Sequence, residues 1–422
     1  MTPSAVLPFP KPVRGCCRFD GLPLRHTFID LGTSPLSNAF LSRAQLGEAE
    51  RFYPLHAFVC ERCLLVQLEQ FETPAAIFGD YAYFSSFSET WLRHAQDFAE
   101  RMTARLGLDA RSLVLEVGSN DGYLLQFFQQ QGVPTLGVDP AANVAQAARD
   151  KGIPTRTAFF SVPAARALAA EGFQADLVVG NNVLAHVPDL NDFVAGLALA
   201  LKPDGVLCLE FPHLLRLMRE GQFDTIYHEH FSYFSLLTAE TVLNAHGLTV
   251  FDVEELPTHG GSLRLYAAHS GAQRALPGER VRRLREQEQS AGLGQLDSYL
   301  HFGTQAAQAK RRLLDFMIGA KDSGKSLAAY GAPAKGNTLL NYCGIRSDFL
   351  DYAVDLSPHK QGLFLPGTRL PIFAPEKIWE TRPDFLLILP WNLKDEIMQQ
   401  MAGIRAWGGQ FVVPIPTVEV CP

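Results

Sequence analysis

The sequence predicts an α/β protein that contains two stretches of parallel sheet. Short apolar runs alternate with helical stretches from about residue 111 to residue 270, and the alternation resumes at Ser326 and continues to about Val418. Such alternation is typical of parallel strands joined by helical crossovers. Residues 76 to 110 and 275 to 320 are predicted to be helical. Residues 1 to about 75 are instead rich in proline, glycine and cysteine, with short strand-like runs.

The composition indicates a globular protein and excludes several classes of partner. The 422 residues include 37 basic and 44 acidic side chains, for a formal net charge of −7, and no basic stripe suits nucleic-acid phosphates. No apolar run approaches the about 18 residues that span a bilayer, and the first 15 residues contain no apolar signal region. Seven unevenly spaced cysteines are too few for a disulfide scaffold. We therefore expect a cytoplasmic protein without a nucleic-acid or membrane partner.

The middle of the chain contains four strand-like runs whose ends carry glycine, acidic or amide residues. The runs are Leu113–Val117, Thr135–Val138, Asp176–Val179 and Val206–Glu210, the last after a predicted turn at residues 202–205. Gly118, Asp139 and Asn181 follow the first three runs. In an open α/β sheet the ligand crevice lies beyond the carboxyl ends of the strands, so these residues predict a nucleotide site.

The loop after the first strand favours S-adenosylmethionine over a dinucleotide. Asp139 lies 21 positions after Gly118, a spacing that suits an acid that binds ribose hydroxyls. The loop has no glycine at the middle or final position of a dinucleotide fingerprint, and Glu116 and Asp121 would repel a diphosphate but suit a sulfonium cation. A dinucleotide enzyme and a glycine-rich turn without ligand remain alternatives. The predicted cofactor-binding residues are Glu116, Gly118, Asn120, Asp121, Gly122, Asp139, Pro140 and Asn181.

A segment rich in histidine and tyrosine, residues 226–235, is the strongest candidate for catalysis. It contains Tyr227, His228, Glu229 and His230 in succession. Histidine exchanges protons near neutral pH, so general acid–base chemistry suits the segment, and Glu229 could orient the imidazole of His230. A metal-binding His-x-His pair and simple aromatic packing between domains are the alternatives.

Five motifs together resemble those of the sugar C-methyltransferases of antibiotic deoxysugar pathways, a family that includes tetronitrose 3-C-methyltransferases. They span nearly the whole chain, at residues 60–63, 81–86, 116–122, 227–231 with 259–261, and 330–336 with 341–344. The resemblance implies three domains: a zinc-binding module at residues 1–75, a class I methyltransferase domain at 76–270, and a C-terminal Rossmann-like domain at 271–422 that closes the substrate site. The resemblance favours a monomeric protein.

The resemblance also implies roles for individual residues. His230 matches the proposed base of the family, supported by Tyr227 and Glu229, and Tyr81 and His186 match its other active-site residues. In the implied reaction a keto group acidifies the neighbouring carbon, the base removes its proton, and the resulting enolate attacks the sulfonium methyl group. The residues expected to bind substrate are Tyr83, His228, His259, Lys335 and Asn337.

The family's structural zinc is held by two Cys-x-x-Cys pairs, and this sequence departs from that pattern. Cys60 and Cys63 form the second pair, but the first reads Cys17-Arg-Phe-Asp20, with aspartate in place of its second cysteine. Aspartate oxygen can ligate zinc, so we expect a site of Cys17, Asp20, Cys60 and Cys63. A shift to Cys16, a fourth ligand from His26 or His56, and a site without metal stay open.

The C-terminal stretch begins with a strand at Leu327–Tyr330, a glycine-containing loop at residues 331–336, and a predicted helix at Asn337–Tyr342. A helix N-terminus beside Lys335 suits a diphosphate, so we expect the nucleotide end of a 4-keto deoxysugar substrate there. An inactive structural duplicate is the alternative. For the whole chain, an NAD-dependent sugar-nucleotide oxidoreductase or epimerase, a non-sugar keto substrate, and a binding protein without turnover stay open.

Overall fold

The computed structural model describes residues 11–78, 85–87 and 89–422. Within them the chain forms three sheets with helices packed on their faces, which confirms the predicted α/β class. Among the described residues no helix is long and apolar enough to cross a membrane. Single-turn 3-10 helices occur at Ala44–Gly47, Ser85–Phe87, Leu184–His186, Phe223–Thr225, Thr258–Gly260, Leu296–Tyr299, Trp391–Leu393 and, over two turns, Ala402–Trp407.

The N-terminal module is a small antiparallel sheet. Its strands are β1 (His26–Ser34), β2 (Tyr53–Val59) and β3 (Val66–Leu68), and a short helix, α1 (Pro74–Phe78), follows them. Burial alternates along β2, where Leu55, Ala57 and Val59 are buried and the residues between them are more open, as expected for a sheet with one covered face.

The middle domain contains a seven-stranded sheet. Its strands are β4 (Val114–Val117), β5 (Thr135–Asp139), β6 (Thr155–Thr157), β7 (Ala175–Asn181), β8 (Leu201–Pro212), β10 (Leu248–Leu256) and β11 (Ser262–His269), with the separate β9 (Ser232–Tyr233) between β8 and β10 in the chain. The spatial order is β10-β11-β8-β7-β4-β5-β6, parallel except for β11, which is antiparallel to both its neighbours. The strand order reverses at β4, with later strands added on either side of it, and the predicted nucleotide loop begins there.

Helices cover both faces of this sheet. They are α2 (Glu89–Leu106), α3 (Leu125–Gln130), α4 (Ala142–Asp150), α5 (Val162–Ala170), α6 (Leu190–Ala200), α7 (Leu214–Arg219), α8 (Leu236–Ala245) and α9 (Glu279–Ser290). Their starts carry the expected caps: the side chains of Ser161, Asp189 and Ser235 accept backbone N–H bonds from α5, α6 and α8. Coverage on both faces explains why β4 is an uninterrupted apolar run around Glu116.

The predicted turn at residues 202–205 lies inside β8, which already begins at Leu201. Ala175 of β7 pairs with Leu201, and Leu177 pairs with Val206, so four residues of β8 loop out between two consecutive ladder positions. Lys202 holds the loop to β7 through a 2.7 Å ion pair between its Nζ and Oδ2 of Asp176. β8 therefore pairs with β7 in the same direction before and after these four residues.

The C-terminal domain has a six-stranded sheet of order β14-β13-β12-β15-β16-β17. Its strands are β12 (Leu327–Tyr330), β13 (Ala353–Val354), β14 (Ile372–Phe373), β15 (Phe385–Ile388), β16 (Gln410–Val413) and β17 (Glu419–Cys421), parallel except for β17. Its helices are α10 (Phe302–Asp322), α11 (Ala334–Cys343), α12 (Lys377–Thr381) and α13 (Lys394–Gln400). The predicted strand at 327–330 is confirmed, and the predicted helix begins three residues earlier, at Ala334.

The three parts of the chain share cores and a strand. β9, from the middle of the chain, pairs with β3 and completes the N-terminal sheet. Phe28 of β1 stacks on Phe302 of α10 with ring centroids 4.6 Å apart, so the N-terminal sheet and the C-terminal domain share one apolar core. The N-terminal module is thus wedged between the other two domains.

Glu288 of α9 provides a buried polar connection within the middle domain. Its carboxylate accepts the backbone N–H groups of Leu236 and Leu237, at 2.7 and 2.9 Å, and lies 2.7 Å from Nε2 of His213. The side chains of Glu288 and His213 are both fully buried. One carboxylate thereby provides a hydrogen-bond acceptor for the first amides of α8 and a partner for the histidine that follows β8.

We expect Glu288→Ala to lower the free energy of unfolding by about 2–4 kcal/mol, since two amides and a histidine would lose their buried acceptor. Thermal or denaturant unfolding measures the change. Glu286→Ala, an exposed position on the same helix, is the matched control and should shift stability by less than about 0.5 kcal/mol. Equal effects of the two substitutions would contradict the assignment.

Candidate active site

The loop after β4 carries three residues in the left-handed backbone region. Gly118, Asn120 and Gly122 have φ angles of 69°, 49° and 77°. Asparagine tolerates this region better than other non-glycine residues, which explains how the loop lacks a glycine at its middle position. A Cβ atom at Gly122 would lie 2.3 Å from Cδ1 of Ile153, so glycine is required there. The loop therefore presents close-packed backbone at the carboxyl end of the sheet.

Asp139, at the end of β5, holds this loop in place. Its Oδ2 accepts the N–H of Asn120 at 2.8 Å, and its Oδ1 accepts the N–H of Ala141 at 2.9 Å, on the far side of the half-buried Pro140. Burial raises the pKa of the Asp139 carboxyl. Each carboxylate oxygen has a second lone pair, so Asp139 keeps the capacity to accept ribose hydroxyls that the sequence predicted.

The two acids expected to repel a diphosphate have different surroundings. Oδ2 of Asp121 forms a 2.9 Å ion pair with Nζ of Lys151, which offsets its negative charge. Glu116 is fully buried, and desolvation raises its pKa well above the usual value, although the neighbouring Tyr123 hydroxyl acts in the opposite direction. The folded chain therefore presents less negative charge to a ligand here than the sequence suggests.

Asn181, at the end of β7, leaves a buried acceptor open. Its Nδ2 donates to the Tyr123 hydroxyl at 3.2 Å, and its Oδ1 is buried with no hydrogen-bond partner among residues 11–78, 85–87 and 89–422. A buried acceptor without a partner is costly unless a ligand donates to it. This position beside the β4 loop fits a bound cofactor that carries amine or hydroxyl donors.

His230 lies between two hydrogen-bond partners. Its Nδ1 is 2.9 Å from the carbonyl oxygen of Thr225, and its Nε2 is 2.9 Å from the Tyr227 hydroxyl. A carbonyl only accepts, so Nδ1 carries the proton and Nε2 the lone pair. Burial, with a smaller contribution from nearby His186, lowers the pKa of His230 well below its ordinary value. The imidazole is therefore neutral at pH 7, with its basic nitrogen at the tyrosine side.

His186 and His230 come together, as the resemblance implied. The ring centroids are 4.7 Å apart and the rings are nearly perpendicular, at 85°. His186 is the last residue of the 3-10 turn that follows β7. Its position at the carboxyl end of the parallel sheet places its ring next to residues 227–230. Burial lowers the pKa of His186 to about 4, so this ring is neutral as well.

Glu229 and His228 point towards the N-terminal module. Oε1 of Glu229 accepts from Nδ2 of Asn38 at 2.6 Å, and burial raises the pKa of Glu229 to about 7. His228 is 3.2 Å, through Nε2, from the carbonyl oxygen of Pro54. The suggestion that Glu229 orients the imidazole of His230 is wrong, because the Thr225 carbonyl occupies Nδ1.

The C-terminal domain provides the opposite wall. Nζ of Lys335 donates to Oδ1 of Asn392 at 2.8 Å and lies 4.6 Å from the centroid of the Trp391 ring, and burial lowers the pKa of Lys335. Asn337 is fully buried, and neither polar atom of its amide has a partner within the described ranges. The ammonium of Lys335 has three N–H donors, so its bond to Asn392 leaves two for a diphosphate at this helix start.

His259 lies on the middle domain, in the left-handed region with φ of 56°. Its Nε2 is 3.2 Å from Nδ2 of Asn182, its ring centroid is 5.1 Å from that of Trp91, and the residue stays open to solvent. It adds a third imidazole beyond the strand ends. Tyr81 and Tyr83, the remaining predicted site residues, lie outside the described residues.

Sequence reasoning missed four residues of this region: Asn38, Asp224, Thr225 and Trp391. Thr225 contributes a backbone carbonyl, which no side-chain pattern reveals. Asn38, Asp224 and Trp391 act across domain boundaries, so their partners are far away in the sequence. Only Asp224 could have been recognised from the sequence, because it is an acidic residue two positions before the histidine-rich segment.

The four predicted zinc ligands converge in the N-terminal module. One ligand atom from each of Cys17, Asp20, Cys60 and Cys63 lies within 4.8 Å of all the others. Sγ of Cys17 also receives a 3.2 Å hydrogen bond from Nε2 of Gln67, an outer partner of the kind that supports metal ligands. The alternative ligands are engaged elsewhere, since His26 contacts Glu61 and His56 contacts Thr27.

Three family models match the chain in succession. "Putative zinc binding domain" matches residues 17–78, "Methyltransferase domain" matches residues 91–253, and "C-methyltransferase C-terminal domain" matches residues 257–416. The C-methyltransferase NovU of Streptomyces niveus is 36% identical over 392 residues, which cover 93% of each chain.

The chain belongs to the C-methyltransferase family.

More distant relatives of this C-methyltransferase match only part of it. A ubiquinone biosynthesis O-methyltransferase of Bartonella tribocorum is 32% identical over 100 residues, 22% of this chain and 38% of the relative. The magnesium protoporphyrin IX methyltransferase of Synechocystis, solved with bound S-adenosylmethionine, is 19% identical with a TM-score of 0.33 and covers 46% of this chain and 89% of its own.

The cofactors of this C-methyltransferase are S-adenosylmethionine and zinc. The strand order of the middle sheet is that of class I methyltransferases, and the open acceptor on Asn181 lies beside its glycine loop. The N-terminal cluster of three thiols and a carboxylate fits zinc in chemistry and number, since four protein ligands complete a structural tetrahedral site.

If Asp20 is the fourth zinc ligand, Asp20→Ala should bind zinc less tightly and unfold at lower temperature, whereas Asp20→Cys should retain the metal. Elemental analysis of the purified chain should find about one zinc per wild-type molecule. Glu61→Ala, exposed between Cys60 and Cys63, should leave the zinc content unchanged. Full zinc occupancy in Asp20→Ala would exclude the aspartate as a ligand.

The raised pKa of Glu229 predicts a pH-dependent effect on stability. Because its pKa of about 7 in the folded chain exceeds the ordinary 4.5, the folded state holds the proton more tightly, and stability is lost as pH rises from about 4.5 to about 7. Glu229→Gln removes this loss, so it should stabilise the chain by up to about 3 kcal/mol at pH 8 and little at pH 4.5. Unfolding curves at both pH values test it. An effect independent of pH would contradict the assignment.

Proposed function

We propose that this C-methyltransferase methylates the carbon next to the keto group of a nucleotide-linked 4-keto deoxysugar, with His230 as the general base. The observation that carries the proposal is the fixed, neutral state of His230. Its Nδ1–H is held by the Thr225 carbonyl, so its lone pair stays on Nε2 at neutral pH. A neutral base in a buried site is what removal of a weakly acidic C–H proton requires.

Proton transfer from the substrate carbon goes to Nε2 of His230. The C–H electron pair moves into the enolate, whose negative charge develops on the former keto oxygen. Tyr227 now donates its hydroxyl to Nε2, so the substrate proton reaches that nitrogen either in place of this hydroxyl or through it. His186 and Tyr81 are proposed to stabilise the enolate oxygen by hydrogen bonding.

S-adenosylmethionine supplies the electrophilic methyl group that the enolate carbon takes. The residues proposed to hold it are the predicted set at the ends of β4, β5 and β7, in which Asp139 accepts ribose hydroxyls and Asn181 accepts a donor at its open Oδ1. Gly118, Asn120 and Gly122 shape the loop. Little water reaches this segment, because residues 228–230 are buried, with the C-terminal domain in contact with Asp224 and Ile226.

The proposed substrate class rests on the keto group and on the C-terminal wall. A keto group acidifies its neighbouring carbon enough for an imidazole to act on it, whereas a hydroxyl-only sugar offers no such proton. The part-buried ammonium of Lys335, and the amide of Asn337 that lacks a partner among the described residues, would provide a cation and a polar donor for a diphosphate. The five motifs that resemble sugar C-methyltransferases support a sugar over another ketone.

Two assays test the proposal. A nucleoside diphosphate 4-keto-6-deoxyhexose incubated with enzyme in D2O should exchange one proton beside the keto group, and addition of S-adenosylmethionine should yield a C-methylated sugar, both read by mass spectrometry. Methylation of a simple ketone but not of the keto sugar would replace the sugar proposal. Transfer without any exchange in D2O would argue against a free enolate.

For the base assignment, His230→Asn should lower both exchange and methyl transfer by about 10²- to 10⁴-fold, because no other group then takes the proton. S-adenosylhomocysteine affinity, measured by calorimetry, should stay within a few-fold. His301→Asn, exposed at the start of α10, is the control and should be fully active. Near-normal turnover by His230→Asn would remove this residue from the mechanism.

A further inference from the structure

The C-terminal domain contacts the segment whose backbone orients the base. Nε1 of Trp391 donates to Oδ2 of the fully buried Asp224 at 2.7 Å. The hydroxyl of Thr338 donates to the carbonyl oxygen of Ile226 at 3.1 Å. Thr225, whose carbonyl accepts from Nδ1 of His230 at 2.9 Å, is the residue between these two contacts. The carbonyl is therefore flanked on both sides by hydrogen bonds from the other domain.

Trp391 is itself fixed from two further directions. Nζ of Lys335 lies 4.6 Å from its ring centroid. A Cβ atom on Gly260 would be 2.6 Å from Cη2 of the indole, so the ring packs directly on the loop that also carries His259. Only glycine permits this approach, and Gly260 has a φ of 92°. One indole thus connects the base segment, the His259 loop and α11.

We propose that Trp391 and Thr338 are positioning residues for the methyl transfer reaction: they hold residues 224–226 so that the Thr225 carbonyl keeps His230 in the productive tautomer. The inference rests on the proposed role of His230 as base. A carbonyl that moves by a fraction of an ångström weakens the bond to Nδ1, and the proton can then occupy Nε2, where it blocks the lone pair. The C-terminal domain thereby contributes to base geometry as well as to substrate binding.

The burial of Asp224 supports this arrangement. Burial raises the pKa of its carboxyl to about 6, and Lys335 and the Trp391 N–H act in the opposite direction. In Trp391→Phe the buried carboxylate of Asp224 loses this donor, which favours a rearrangement of residues 224–226. The phenyl ring of the variant still fills the space beside Gly260.

The test uses variants that remove one hydrogen bond and little volume. Trp391→Phe and Thr338→Val should each lower kcat about 10- to 100-fold while the KM for S-adenosylmethionine stays within about 2-fold. Trp407→Phe is the matched control, because Nε1 of Trp407 donates to the Pro383 carbonyl at 3.1 Å within the C-terminal domain, away from the base segment. It should keep wild-type activity.

A second readout does not need a substrate. In full-length protein with ¹⁵N-labelled histidine, the Nδ1–H signal of His230, assigned by its loss in His230→Asn, should shift or broaden in Trp391→Phe and Thr338→Val but not in Trp407→Phe. Unchanged signal and rate in both variants would overturn the inference, as would equal losses in Trp407→Phe. If the signal moves but wild-type enzyme neither exchanges nor methylates the keto sugar, the positioning role stands and the proposed substrate fails.

Discussion

The hydrogen bond from Nδ1–H of His230 to the Thr225 carbonyl is the contact on which the proposed chemistry depends. At 2.9 Å it assigns the proton to one nitrogen and leaves the lone pair on the other. Burial removes the competing protonated state by lowering the pKa. The proposed role as base requires both effects. A neutral imidazole with its proton on Nε2 has no lone pair on the side of Tyr227, and an imidazole that carries both protons has no lone pair to accept one.

The same desolvation acts on several titratable side chains around His230. It lowers the pKa of His186 to about 4, lowers that of Lys335, and raises that of Glu229 to about 7. Together with the lowered pKa of His230 itself, these four shifts favour the uncharged form. Uncharged polar side chains cost less free energy to bury than ions do. Their dipoles can still stabilise negative charge that develops during a reaction. Other buried ionic groups are paired, such as Glu210 and Arg264 with a 2.6 Å contact.

Much of this site could be predicted from the sequence, and the missing part has a common cause. The apolar runs placed Gly118, Asp139 and Asn181 at strand ends, because burial on both faces of a parallel sheet leaves a strong local signal. The converging set at Cys17, Asp20, Cys60 and Cys63 was also visible. The Thr225 carbonyl was not, since a backbone acceptor has no residue type. Contacts such as Asn38 with Glu229, or Trp391 with Asp224, join residues more than 160 positions apart, where local periodicity carries no information.

The proposed reaction would draw on residues from all three parts of the chain. The middle sheet alone carries the glycine loop, Asp139, Asn181 and His186, but the base segment leaves this sheet after α7 and returns only at α8. Between these helices it is held from one side by the zinc module, through β9 and Asn38, and from the other by Trp391 and Thr338. The module and the C-terminal domain also share a core through Phe28 and Phe302. A metal that orders the small module therefore stabilises one wall of the segment that carries His230, although it lies outside the reacting atoms.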